Sequence, residues 1–187
     1  MIDIVKYGMW SLLILAALQD VMQLRISNLF VLAILALFPF WLVAVGFNLD
    51  VWQNLVVFAL AFVLGSLAFH FGLIGGGDAK LFMAGALWFN LADAPHYLMS
   101  IVLFGALMTF VLIILRRVLP LLGFKPSPQD KADEARGAGW AMLEPKGPIP
   151  YGVAIAAGAI LCAVLYGFDP QPVLHLPAVD FTPRAVV

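Results

Sequence analysis

Polar residues are so sparse along this chain that the apolar runs between them define its elements. Six runs stand out: Ile4–Leu18, Leu29–Phe47, Leu55–Ile74, Ala79–Leu91, His96–Leu115 and Ile149–Phe168. They are continuous rather than alternating, so they predict helices and not the alternating strands of a transmembrane barrel. A membrane span needs roughly 20 apolar residues. The first and fourth runs fall short, but the first can extend to Gln19 and the fourth towards Ala94. Backbone inside a bilayer must satisfy its own hydrogen bonds, and helices do this within one segment. The pattern therefore predicts an all-α integral membrane protein with six transmembrane helices. Asp3 in the first flank, and no small-residue cleavage site after the run, predict a retained helix rather than a removed signal peptide.

Composition strengthens this picture. Of 187 residues, 64% are hydrophobic and 11% charged, and mean hydropathy is +1.03. Soluble domains carry about 25% charged residues. A net charge of −1 leaves no basic face for nucleic acid. The single cysteine, Cys162, excludes an internal disulfide and a multi-cysteine metal site. The three histidines are scattered, so neither a metal site nor a cofactor is expected.

An even number of spans puts both termini on one side, and basic residues choose the side. Arg25, Lys80, Arg116, Arg117, Lys125, Lys131, Arg136 and Lys146 fall in one set of connections; Lys6 and Arg184 fall in the other. The split predicts both termini outside and cytoplasmic connections at 20–28, 75–80 and 116–148. Residues 1–168 then form a six-helix core. Within it, 116–148 is a polar, mobile cytoplasmic loop, and the proline-rich 169–187 is an irregular outside tail. Trp41, Trp52, Trp88 and Tyr97 suit an outer aromatic belt, Trp10 the bundle interior, and His70 an interhelical hydrogen bond.

Most of the eleven acids lie in tails and loops, Asp93 among them, and read as solvated surface groups. Two do not. Asp20 ends the first run, and Asp78 opens the fourth, directly after Gly75-Gly76-Gly77. Both fall at the cytoplasmic boundary, where an acid facing lipid is costly. Asp78 also suits a helix N-cap, whereas Asp20 stands at a helix C-terminus, where the dipole opposes it. Two carboxylates on one face of a bundle can share a proton, one acting as base on water and the other as acid. The glycines allow unusual backbone angles and close approach of another chain, which an extended peptide substrate requires. The same acids also fit an ion- or proton-coupled transporter, and a third reading is an inactive structural subunit of a secretion system.

The residues also resemble a known family. Gly75-Gly76-Gly77-Asp78 matches the GxGD signature of intramembrane aspartyl proteases, and Asp78-Ala79-Lys80-Leu81 continues like the prepilin peptidases among them. Asp20 with Arg25, Ile26 and Asn28 resembles their first-aspartate motif, although Ser27 stands where proline is usual. Pro150-Tyr151-Gly152 with Ala154, Ile155 and Gly158 resembles their segment in the last span. The resemblance covers about residues 1–168 and implies a type IV prepilin leader peptidase in a bacterial cytoplasmic (inner) membrane. Its catalytic pair would be Asp20 and Asp78, working at the cytoplasmic face on a prepilin or pseudopilin substrate. It is closest to the short Flp or tight-adherence form. The chain lacks the paired-cysteine domain of the bifunctional members, so cleavage without methylation is implied. Lys80 and Arg25 read equally as substrate-site support and as inside anchors. Asn28 reads as a helix cap, and Pro150 and Tyr151 as the mouth of the site or an interfacial turn. Oligomeric state is left open.

Overall fold

A computed structural model describes residues 2–46, 49–123, 141–144 and 147–167. The tail 169–187 and most of the expected 116–148 loop lie outside them. Each apolar run becomes a helix: α1 (Ile2–Gln23), α2 (Asn28–Val45), α3 (Trp52–His70), α4 (Gly76–Ala86), α5 (Ala94–Leu121) and α6 (Tyr151–Tyr166), with a short 3-10 turn at Leu49–Val51 before α3. Four of them, α1, α2, α3 and α5, are long and apolar enough to cross a membrane. The protein is thus an all-helical, multi-pass membrane protein.

The other two helices are shorter than a span. α6 has 16 residues, or about 24 Å at 1.5 Å per residue. α4 has only 11 residues. The second half of the fourth run leaves the helix in tight turns: the Trp88 and Phe89 amides donate to the Gly85 and Ala86 carbonyls at 3.2 Å. Asn54 Nδ2 of α3 takes up the freed Leu87 carbonyl at 3.1 Å. α5, in contrast, continues past the fifth run through Arg116 and Arg117, which the sequence reading assigns to the loop.

α6 is the hub, packing against α1, α4 and α5, while α2 lies against α1 and α4, and α3 against α4. Apart from Ile155, its buried face is made of small residues: Gly152, Ala154, Ala156, Gly158, Ala159, Cys162 and Ala163. Between lipid-embedded helices there is little hydrophobic drive to associate, so close van der Waals approach through small residues has to supply it. A Cβ on Gly158 would sit 2.7 Å from the Ile101 backbone nitrogen of α5. Large apolar side chains such as Phe40, Leu32 and Leu103 point outward instead.

The aromatic residues correct the belt expectation. Trp41 and Trp88 are 1% exposed and Tyr97 2%. Phe38 stacks on Trp41 at 5.4 Å and meets Trp88 edge-on at 5.8 Å. Tyr97 stacks between Phe82 and Phe89 and donates its hydroxyl to the Phe82 carbonyl at 2.8 Å. These rings fill the end of the bundle where α4 is too short to do so. Trp52 alone of the four is exposed, and Trp10 packs partly inside. Asp93, expected in solvent, is buried where the turns enter α5. His70 lies exposed at the end of α3, its ring edge-on to Phe71 at 5.5 Å, instead of bridging helices.

Candidate active site

Asp20 lies in the last turn of α1, where its own helix dipole disfavours negative charge. The compensation comes from another helix. The Gly152 amide, in the first turn of α6, donates to Asp20 Oδ2 at 2.8 Å. A helix N-terminus offers unsatisfied N–H groups and the positive end of the dipole, so it suits a carboxylate. Asp20 is 4% exposed.

Asp78 lies in the first turn of α4, two residues inside a helix that starts at Gly76. It is therefore not the N-cap residue; Gly75 is. Oδ2 of Asp78 turns back towards Gly75, so that a Cβ there would stand only 2.9 Å from it. The carboxyl group also lies within electrostatic reach of the Gly152 amide and of Asp20. Asp78 Oδ1 is buried and accepts no hydrogen bond among the described residues. The two acids, distant in sequence, thus converge under one amide.

They face a cavity of about 310 Å3, bounded by Leu24, Arg25 and Ile26 on one side and Gly75, Gly76, Gly77 and Asp78 on the other, with Asp20 at its base. The glycines serve here differently from the expectation. None of Gly75, Gly76 and Gly77 has a positive φ, and Gly76 and Gly77 are already helical. What they provide is space. A Cβ on Gly77 would lie 3.1 Å from Ile26 Cβ, and one on Gly152 would lie 2.7 Å from Asp20 Oδ2 and 2.8 Å from Ile26 Cδ1. Ile26 is thereby wedged between α4 and α6.

The turn between α1 and α2 is held by residues that the sequence pattern did not single out. Leu24 sits at φ +53, a left-handed conformation costing a non-glycine residue about 1 kcal/mol. It reverses the chain, so that Arg25 and Ile26 come back over the cavity. Gln19 Oε1 accepts the Ser27 amide at 2.8 Å, and Ser27 Oγ caps α2 by accepting the Leu29 amide at 3.2 Å. Serine in place of proline keeps an N–H that proline lacks, and Gln19 uses it. Ser27, not Asn28, is the cap. Asn28 Oδ1 instead accepts from Lys80 Nζ at 2.9 Å, tying α2 to α4 on the exposed side of the site. Arg25 is exposed at the cavity rim.

Pro150 is fully buried and is the N-cap residue of α6, placing the Gly152 amide. Tyr151 points away from the carboxylates, into an apolar groove of about 790 Å3 between α3, α5 and α6. The structure therefore brings Asp20, Arg25, Gly75, Gly77, Asp78 and Gly152 together. Lys80 and Asn28 stand beside them, Pro150 behind them, and Tyr151 elsewhere. Gln19 and Leu24 belong to no recognisable spacing, so the sequence pattern gives no signal for them; Ser27 stands out only as a departure from the usual proline.

Fold and site define a multi-pass helical membrane protein with a buried carboxylate pair set at two helix N-termini. The model of the type IV leader peptidase family matches residues 7–114, more than half of the chain and including both acids. The chain belongs to that family, and the membership implies a protease. The match ends before Pro150, so the α6 segment joins the site by geometry alone. No curated protein and no solved structure matches the chain significantly.

Proposed function

We propose that the protein is an aspartic endopeptidase that removes the leader from type IV or Flp-type prepilins, with Asp20 and Asp78 activating the attacking water. The observation that carries this reading is the meeting of the two carboxylates, from α1 and α4, in one cavity beneath the Gly152 amide. Two acids held this close and this dry share one proton, because ionising both would bury like charges together. The ionised member takes a proton from water as it attacks the scissile carbonyl. The protonated member donates its proton to the carbonyl oxygen. The first member, now carrying the proton taken from water, passes it to the leaving amine. The collapsing intermediate's hydroxyl returns a proton to the other member, so the pair again shares one proton. Asp78 Oδ1, which accepts no hydrogen bond among the described residues, is the atom placed to meet the water or the carbonyl. The Gly152 amide fixes the pair and limits its motion between steps.

The face follows from the charge count. Eight of the ten basic residues fall in the connections predicted for the acids' side, which supports a site at the cytoplasmic surface of the bacterial inner membrane. A positively charged prepilin leader would reach it there. All six helices then act as spans, the two short ones aided by buried turns and by local thinning of the bilayer. Coexpression with the candidate prepilins of the same cell tests this reading. A mass shift equal to loss of a leader, with no added methyl group, is the expected product. Uncut prepilins throughout, with the protein present in the membrane, would refute it.

A further inference from the structure

Arg116 lies near the end of α5, half-buried, with a neighbour, Arg117, that is exposed. Charge counting makes the two equivalent, but the structure separates them. The Arg116 Nε donates to the Met142 carbonyl at 2.8 Å. One terminal nitrogen donates to Gly147 O at 2.8 Å and to Pro148 O at 3.3 Å. The guanidinium therefore grips the strap of chain that enters α6. From that grip to the Gly152 amide the strap runs Gly147-Pro148-Ile149-Pro150-Tyr151-Gly152. Its two prolines have fixed φ. Pro150 is fully buried, and the Tyr151 amide closes back onto Ile149 O at 2.9 Å. A strap so short and stiff transmits a displacement rather than absorbing it.

We infer that Arg116 is a positioning residue for the carboxylate pair: its forked grip on the 147–148 carbonyls sets the height of the Gly152 amide on which Asp20 depends. The fork matters, since one planar group with fixed donor directions serves three carbonyls. A lysine keeps the charge, and hence the topology signal, but not the fork. The activity arm of the test rests on the protease reading above; the exchange arm does not.

The test uses the full chain in lipid nanodiscs with Arg116→Lys, Arg116→Gln and, as the charge control, Arg117→Gln. Kinetics on a purified prepilin should show kcat lowered roughly 10- to 100-fold in both Arg116 variants, the scale expected when reacting groups are displaced by about an ångström. KM should stay near wild type, and Arg117→Gln should be unaffected. Hydrogen exchange should speed up at the Ile149, Tyr151, Gly152 and Val153 amides of Arg116→Lys while α1 and α4 keep their protection. Normal kcat in Arg116→Lys would overturn the inference. So would a rise in KM alone, which marks a substrate contact, or faster exchange spread over α1 and α4, which marks a general structural role. Should even the unaltered protein leave prepilin uncut, the protease reading fails, and exchange at those four amides still decides the role of Arg116.

Discussion

A Cβ on Gly152 would stand 2.7 Å from Asp20 Oδ2 and 2.8 Å from Ile26 Cδ1, closer than atoms can pack, so even alanine must displace the carboxylate. Gly152→Ala is therefore expected to lower leader cleavage by roughly 100-fold or more while the protein still inserts; turnover against membrane-fraction abundance reads this out. Near-normal turnover would mean that α6 does not set the acid. Lys80→Met removes an exposed hydrogen bond to Asn28, worth about 1 kcal/mol or less. Stability should barely change, and any fall in cleavage would point to a contact with substrate. At this scale the acids were legible in the sequence, because a carboxylate at the end of an apolar run is costly without a purpose. The function of the glycines was only half legible: composition announces that a side chain is missing, but not whether backbone angle or clearance is the reason. Here it is clearance, against Ile26 and the two carboxylates.

Helix α6 shows how an element can be chosen by what it lacks. Its small-residue face admits α1, α4 and α5 at once. Gly158→Ala would bring a Cβ to 2.7 Å from the Ile101 nitrogen and 2.9 Å from its Cα. Both are backbone atoms that cannot rotate away, so α5 and α6 must separate. A loss of about 1–3 kcal/mol, the usual cost of overpacking, should appear as a lower thermal midpoint in detergent. An unchanged midpoint would show that the crossing is loose. The positions of the elements were legible because a polar interruption costs more in lipid than in water, so run boundaries are sharp. Their lengths were less so. The fourth run continues as apolar turns rather than helix, since Trp88 and Phe89 are wanted in the core and not against lipid. The fate of Trp41 and Tyr97 was hidden for the same reason: an aromatic ring suits the interface and the bundle interior equally, and hydropathy does not distinguish them.

The whole molecule arranges two acids from different helices, a third helix's amide and a turn held by Gln19 into one site on one face. No single segment contains this site, and that is why sequence motifs pointed to its members but not to the hydrogen bond joining them. The proposed orientation rests on the basic residues alone, and it predicts that cysteines introduced at Pro128 and at Ala94 label from the cytoplasm and from outside, respectively. The reverse would put the pair on the wrong side for a leader made in the cytoplasm. The central claim, that both carboxylates are needed for one reaction, is tested most directly by cleavage of a coexpressed prepilin with Asp20→Asn and Asp78→Asn. An amide keeps the shape of the carboxylate but can neither accept a proton from water nor cycle one. Each single variant should abolish leader removal while remaining in the membrane at normal abundance, with Asp130→Asn as the active control. Near-normal cleavage by either Asn variant, at normal abundance, would contradict it.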